Sequence, residues 1–305
     1  MNTLRFLVSL ITKENDFQLE QAASAQAAAD KLGVQVDILF AENDAITQST
    51  QLLRAIQAEP SARPNGVIVE PAGGTAFPQV AQAAVKANIA WAVLNREADY
   101  ISSLRQSAKV PVFSVSSDHK EIGRIQSRQF AALMPAGGGL LYIQGPSETS
   151  AAKDRTTGMQ MSLPPEIQVT SLRARWTEES AQRAVESWLR LTTSQKVQID
   201  VVGAQNDQMA MGARKAFEQI SDSMDKERWL SLPFTGVDGV PKTGQAWVRS
   251  GLLKATVIVP TQTGQALTMV VDAIENGLKP SERSYTTPES FPPLEKLNPR
   301  TPIRS

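Results

Sequence analysis

The sequence predicts an α/β protein in which helices cover both faces of parallel sheets, divided into two lobes. Short β-branched runs alternate with helical segments along almost the whole chain. The length of 305 residues exceeds the roughly 100–200 residues usual for one domain. Polar residues follow several of the strand-like runs, where α/β sheets commonly bind ligands. Together these observations favour a two-lobed binding fold.

The first half of the chain shows the alternation most clearly. Residues 5–11 read as a strand, and a helix follows over residues 16–32, with Asp16 as its expected N-cap and Gly33 as its stop. Leu19, Ala22 and Ala25 recur at helical spacing within it. The remaining segments are the strands VQVDILF, GVIVEP and IAWAVL, the helices 45–58 and 76–87, and an irregular stretch 97–111.

The second half repeats the pattern after Val115. Its segments are the helices 121–134, 151–161, 180–191 and 208–220 and the strands GLLYIQ, IQVTSL, IDVVGA and FTGV. KATVIVP follows when this lobe is nearly complete, which suggests a return to the first lobe, with another crossing near Tyr285. A helix over 263–274 and a Pro-rich tail end the chain.

Composition excludes several classes of function. Lys plus Arg and Asp plus Glu both number 31, so no net charge attracts nucleic acid or an anionic membrane. Cysteine is absent, which excludes disulfides, thiolate metal sites and a cysteine nucleophile. No segment approaches the roughly 18 apolar residues of a membrane span. The N-terminus lacks a small-residue cleavage site and reads as a strand, so we expect either a cytoplasmic protein or one whose leader was removed.

The sequence contains no recognisable metal or cofactor motif. His119 is the only histidine and follows Asp118, so we interpret it as a structural or hinge residue. Glycines 73 and 74 follow the strand VIVEP, but neither GxGxxG nor GxxxxGK[ST] occurs. We therefore interpret them as a tight turn and expect no bound cofactor.

The order of several motifs resembles one known family. The segments VS…NDF, VLNRE, SSDHKEIG, IQGPSETSAAKDR, GAQNDQMAMGA, GVDG and LLKATV are similar to those of the type I periplasmic sugar-binding proteins, especially the ribose-binding type. The LacI-type repressor cores share this fold. The resemblance implies two Rossmann-like lobes joined by a three-strand hinge, with residues 1–115 and 260–284 in one lobe and 116–259 and 285–305 in the other.

The resemblance also implies a set of ligand-binding residues. Arg96 and Arg155 match arginines that the family places on sugar hydroxyls, and Asn206 and Asp238 match a hydroxyl-binding amide and carboxylate. Each also has a structural interpretation. These are a surface pair of Arg96 with Glu97 or of Arg155 with Asp154, an N-cap for Asn206, and a turn before Gly239 for Asp238. We favour ligand contact for all four and a structural role for Asp207, which would also compensate Arg155 if no ligand hydroxyl does.

Phe17 and Trp176 match aromatic walls for the apolar face of a sugar ring, although either could be ordinary core. The implied ligand-binding set is completed by Ser9, Asn15 and Asn95. Three departures from the family pattern argue against ribose itself. Gln18 and Val237 replace aromatics, and KATVIVPT lacks the hinge glutamine. Asn95 also replaces the usual Asp.

The resulting hypothesis is a solute-binding protein that captures a small sugar-like ligand by hinge closure for an ABC-type transporter or a receptor. Its partners would be a monosaccharide or related polyol and a membrane permease, and its location periplasmic if a leader was removed. One alternative is a cytoplasmic sensor with a LacI-like core and no DNA-binding domain. Another is an α/β enzyme, against which the missing phosphate motifs argue.

Overall fold

The protein divides into two compact units in the computed structural model, which describes residues 3–74, 76–192, 194 and 197–297. Unit 1 comprises Met1–Ser117 and Pro260–Thr286, and unit 2 comprises Asp118–Val259 and Thr287–Ser305. The chain therefore passes between the units three times.

Unit 1 contains a sheet in which every strand pair is parallel. Its strands are β1 (Arg5–Leu10), β2 (Gln35–Phe40), β3 (Gly66–Val69), β4 (Ala90–Leu94), β5 (Val112–Ser117) and β11 (Arg283–Thr286). Their spatial order is β11-β5-β4-β3-β1-β2, so the order reverses between β1 and β3. Polar residues at the carboxyl ends of β1, β3 and β4 lie beside this reversal, where α/β sheets bind ligands.

Helices cover both faces of the unit 1 sheet. These helices are α1 (Asp16–Leu32), α2 (Ala45–Ile56), α3 (Pro78–Lys86), α4 (Ile101–Ser107) and α11 (Thr263–Asn276), with a 3-10 turn at Pro60–Ala62. One face packs Phe6 and Ile68 against α1 and α11, and the other packs Val67 and Trp91 against α2, α3 and α4. The near-continuous apolar runs of β3 and β4 follow from burial on both sides.

Unit 2 has a parallel sheet of order β7-β6-β8-β9 and an antiparallel pair, β10 with β12. Two isolated parallel bridges, Thr235 with Ala255 and Asp238 with Ile258, connect the β9 region to the β10 region. The strands are β6 (Gly138–Gln144), β7 (Ile167–Arg173), β8 (Val201–Ala204), β9 (Phe234–Thr235), β10 (Thr256–Ile258) and β12 (Glu289–Phe291).

The helices of unit 2 form two layers. One core packs α5 and α6 on Leu140 and Tyr142, and the other packs α7, α8 and α9 on Leu141 and Ile143. The helices are α5 (His119–Leu133), α6 (Ser150–Ser162), α7 (Glu178–Leu189), α8 (Asp207–Glu218), α9 (Ser223–Leu230) and α10 (Gly244–Arg249), with a 3-10 turn at Leu294–Lys296.

The predicted α/β class with parallel sheets is confirmed, while several local predictions were wrong. Residues 97–111 contain α4 rather than being irregular, and neither α9 nor α10 was predicted. Within KATVIVP, β10 pairs with β12 in unit 2, and the chain passes to unit 1 between Val259 and Pro260. Among the described residues, no helix is both long and apolar enough to cross a membrane.

Candidate ligand-binding residues

The N-terminus of α1 is capped by Asn15, not by Asp16 as the sequence suggested. The Asn15 Oδ1 accepts hydrogen bonds from the backbone amides of Phe17 at 2.9 Å and Gln18 at 3.3 Å. Asp16 instead lies in the first helical turn, where its negative charge interacts favourably with the positive end of the helix dipole. The cap orients the start of α1 and places Phe17, which is buried, on its first turn.

A buried carboxylate, Glu70, organises the polar residues of unit 1. It follows β3 and is 1% exposed. Its Oε2 accepts from Gln18 Nε2 at 2.8 Å, and its Oε1 accepts from Asn95 Nδ2 at 3.0 Å. Arg96 Nη1 lies 3.7 Å from the same Oε1. Buried carboxylates are costly unless they are paired and hydrogen-bonded, and Glu70 meets both conditions.

Arg96 is therefore a buried cation and does not form the surface pair that sequence left open. Its side chain is 5% exposed, and Nη1 also donates to the Asn95 carbonyl at 2.7 Å. Glu97 pairs with Arg283 instead. Asn95 adopts a left-handed conformation with φ of 57°. This conformation, tolerated by asparagine, turns the chain directly after β4.

The structure thus brings Asn95 and Arg96 together around Glu70. Glu70 itself was missed by sequence reasoning, although its position at the end of GVIVE, directly after a buried strand, could have identified it. Ser9 lies on β1, fully buried, and its Oγ accepts from Gln48 Nε2 at 3.0 Å. Gln48 Nε2 also donates to the Glu70 backbone carbonyl at 2.9 Å. Gln48 therefore links Ser9 to the backbone of Glu70 by hydrogen bonds.

Arg155 is the centre of the polar residues of unit 2. It lies on α6, is buried, and its Nη2 is 3.9 Å from Asp238 Oδ1. Its Nη1 donates to the carbonyl of Gln205, and its Nε donates to His119 Nδ1 at 3.4 Å. Asp238 therefore supplies a carboxylate to Arg155, while Asp154 pairs with Lys120.

Trp176 lies against Arg155, with the guanidinium carbon 5.5 Å from the centroid of the indole. A cation at this distance over an indole face is attracted by its quadrupole. The indole also covers Gly145, where a Cβ would lie 2.3 Å from the ring. Glycine at position 145 is therefore required for the position of this aromatic side chain.

Asn206 caps α8 and also fixes Trp176. Its Oδ1 accepts from the Met209 amide at 2.8 Å, and its Nδ2 donates to the Trp176 carbonyl at 2.9 Å. The structural interpretation of Asn206 as an N-cap is thus realised. The amide retains a second lone pair and a second N–H, so capping does not exhaust its hydrogen-bonding capacity.

Asp207 and Asp238 have different surroundings. The Asp207 carboxylate accepts from Thr256 Oγ1 at 2.6 Å and the Gly239 amide at 2.8 Å, contacts that tie β10 and the loop after β9 to α8. Asp238 has φ of 107°, and its side chain is 11% exposed. The loop therefore holds Asp238 beside Arg155, while the Asp207 carboxylate holds the loop by accepting the hydrogen bond from the Gly239 amide.

Gln205 is a second residue that sequence reasoning missed. Its Oε1 accepts from the Gly145 amide at 2.8 Å, and its Nε2 donates to Thr156 Oγ1 at 2.9 Å and to the Tyr142 hydroxyl at 3.2 Å. Burial raises the pKa of Tyr142 well above its ordinary value, so its neutral hydroxyl donates to Gln126 Oε1. This buried network supports the carbonyl that receives Arg155.

The polar residues form one group in each unit. The Glu70 cluster comprises Gln18, Glu70, Asn95 and Arg96 in unit 1, and the Arg155 cluster comprises Arg155, Trp176, Asn206 and Asp238 in unit 2. Both combine a guanidinium with a carboxylate at the carboxyl ends of parallel strands. The described residues contain no group of three or more His, Cys, Asp or Glu side chains that could hold a metal ion.

Comparison with known proteins identifies the family. Residues 6–279 match the model of the periplasmic binding protein domain, which covers most of the chain. The chain belongs to this family. The family resemblance inferred from the order of the motifs is thereby confirmed.

Individual members of the periplasmic binding protein family are similar over nearly the full chain. The ribose import binding protein RbsB of Escherichia coli (strain K12) is 26% identical over 280 residues, covering 91% of this chain and 86% of that protein. The Bacillus subtilis (strain 168) protein of the same name is 25% identical over 274 residues, covering 89% and 82%.

Solved structures support the same fold. A Caulobacter myo-inositol binding protein bound to myo-inositol superimposes with a TM-score of 0.77 at 25% identity, covering 94% of this chain and 92% of that chain. A galactofuranose binding protein gives a TM-score of 0.80 at 21% identity, covering 96% and 98%. These relatives are binding proteins for sugars or a cyclitol.

Proposed function

We propose that this protein binds a small polyhydroxylated ligand, such as a monosaccharide, cyclitol or polyol, for an ABC-type importer in the periplasm. The observation that carries the proposal is the pairing of one buried arginine with a carboxylate in each unit, at strand ends, in a member of this family. Guanidinium groups donate to adjacent hydroxyls, and carboxylates accept from them.

In this proposal, the Glu70 cluster and the Arg155 cluster each supply ligand contacts. Phe17 and Trp176 contribute apolar surface, while Asn15, Asn95, Asn206 and Asp238 contribute polar contacts. The chemistry required is recognition alone, and we propose no catalytic step.

The chain's own residues argue for a ligand other than ribose. Gln18, which stands where ribose binders often have an aromatic side chain, donates to Glu70 and accepts from the Ile11 amide at 2.9 Å. A carboxamide held in this way supplies hydrogen-bonding surface instead of an aromatic wall. This replacement favours a hexose, a cyclitol or a linear polyol with hydroxyls on more of its surface.

A thermal-shift screen of pentoses, hexoses, inositols, linear polyols and nucleosides tests the proposal. A ligand at a hundredfold excess over its Kd stabilises the protein by about 2.7 kcal/mol, which is visible as a raised Tm. The ligand should be recovered unchanged by chromatography after incubation. A screen without any shift, or conversion of the ligand into a product, would contradict a binding protein for such compounds.

Asp238→Asn is expected to weaken binding of the compound found in the screen by roughly ten- to a hundredfold, since a hydrogen bond to a charged acceptor contributes about 1.5–3 kcal/mol. Asparagine is the suitable replacement because it tolerates a positive φ better than alanine does. Isothermal titration calorimetry measures the change in Kd.

Asp200→Asn is the matched control for that variant. Asp200 lies at the opposite, amino-terminal end of the strands in unit 2, where its carboxylate accepts from the Gly139 amide at 2.9 Å. Its replacement should leave Kd unchanged. Equal losses of affinity in both variants would remove Asp238 from the site.

A further inference from the structure

The three points where the chain enters or leaves unit 1 are joined by hydrogen bonds within that unit. Ser117 and Thr286 are the last residues before two crossings, and Pro260 is the first residue after the third. Ser117 Oγ lies 2.7 Å from Thr286 Oγ1. Gln262 Nε2 donates to Ser117 Oγ at 2.9 Å and to the Pro260 carbonyl at 2.8 Å. A single carboxamide thus connects all three crossings.

A second buried glutamine connects Gln262 to the Glu70 cluster. Gln21 Nε2 donates to Gln262 Oε1 and lies 3.5 Å from Glu70 Oε2. Gln21 Oε1 accepts from the Gln262 amide at 2.8 Å and from the Thr263 amide at 3.1 Å. Every hydrogen-bonding atom of the Gln21 carboxamide is therefore used toward the start of α11 or toward Glu70.

Packing alone does not require these groups. Gln21 and Gln262 are both fully buried, and an apolar pair of similar volume would avoid the cost of desolvating two carboxamides. Buried polar networks of this kind restrict the backbone to one arrangement, because leaving any member unpaired is costly. Hinges in two-unit proteins are a few terminal residues of strands and helices that absorb backbone rotation.

We propose that Glu70, Gln21, Gln262, Ser117 and Thr286 form a coupling network that links ligand contact at Asn95 and Arg96 to the backbone at all three crossings. Gln21 and Gln262 are its positioning residues and do not themselves touch the ligand. The proposal rests on the proposed function, because it takes Asn95 and Arg96 as ligand contacts. The coupling is reciprocal, so a change at Thr286 also changes ligand affinity.

Hydrogen exchange of the ligand-free protein tests the network directly. Glu70→Gln and Gln262→Leu should each accelerate amide exchange roughly tenfold in the segments 116–119, 259–262 and 285–288, because local opening becomes easier when the network loses a member. Tyr100→Phe is the matched control. It removes a hydroxyl that bonds Trp91 Nε1 at 3.0 Å and the Ala76 carbonyl at 2.6 Å in the same unit, without contact to the network.

Acceleration confined to the neighbourhood of each substitution, or equal acceleration by Tyr100→Phe, would overturn the proposal. If Gln262→Leu does not fold, Thr286→Val replaces it, since this half-buried side chain loses only its hydroxyl. The hydrogen-exchange experiment therefore tests whether the network exists without requiring any ligand.

The affinity measurement uses D-ribose and myo-inositol as probes. Thr286→Val should change the Kd of the probe that binds by about threefold or more, whereas Tyr100→Phe should not. An unchanged Kd in Thr286→Val would contradict reciprocal coupling. If neither probe nor any compound of the wider screen binds the wild-type protein, the proposed function fails, while the exchange result still decides the coupling.

Discussion

Glu70→Ala is expected to lower the free energy of unfolding by about 3–5 kcal/mol, the usual cost of removing one partner of a buried ion pair. The carboxylate is the acceptor for Gln18 and Asn95 and the counter-ion of Arg96. Its removal leaves a guanidinium and two carboxamides buried with fewer partners. Urea denaturation followed by circular dichroism measures the loss.

Glu97→Ala provides the control for this prediction. Glu97 pairs with Arg283 in the same unit, but the two side chains are 40% and 34% exposed. Exposed pairs contribute about 0–1 kcal/mol, so this variant should unfold almost like the wild type. A loss of under 1 kcal/mol in Glu70→Ala would show that water, not Glu70, compensates Arg96.

A double variant separates stability from recognition. Glu70→Leu with Arg96→Met replaces the pair by apolar groups of similar volume, which is often neutral or stabilising compared with the broken pair. We expect it to recover much of the lost stability while ligand affinity stays low. Recovered affinity would contradict a ligand contact by Arg96.

Gly158→Ala is expected to destabilise unit 2 by about 1–3 kcal/mol or more, the range observed for overpacking. A Cβ at Gly158 would lie 1.9 Å from the Lys120 carbonyl oxygen, and one at Gly123 would lie 2.1 Å from the Arg155 carbonyl oxygen. The obstacle is backbone in both cases, so α5 and α6 must move apart. Because α6 carries Arg155 and α5 begins at His119, ligand affinity should fall as well.

Thr157→Ala is the neighbouring control for the glycine variant. Thr157 is exposed on α6, and alanine is the better helix former. Its Tm and Kd should match those of the wild type, whereas Gly158→Ala should lower the Tm and raise the Kd. An unchanged Tm in Gly158→Ala would show that the two helices are not in backbone contact.

The elements could be predicted from sequence wherever local pattern determined them. The β-branched runs of β3 and β8 and the stop of α1 at Gly33 are examples, because burial on both faces and a left-handed cap leave recognisable local patterns. Helices α4, α9 and α10 have six to eight residues. Their patterns are too short to distinguish from loops.

The partners within the candidate site could not be predicted in the same way. Arg96 meets a carboxylate 26 positions earlier in the chain, and Gln21 meets Gln262. Such contacts depend on sheet order, which local periodicity does not specify. Asn15 and Asp16 are both good N-cap residues, so the choice between them depended on the exact start of α1.

Unit 1 is built from two separate segments of the chain, and this affects the order in which the protein can fold during synthesis. Helix α11 supplies Ala266, Leu267 and Val270 to one face of the unit 1 sheet, and β11 supplies its last strand. Both emerge from the ribosome only after residues 118–259 have been made. The first 117 residues therefore leave an apolar surface uncovered throughout that interval, when nascent chains are most prone to aggregate or to need a chaperone.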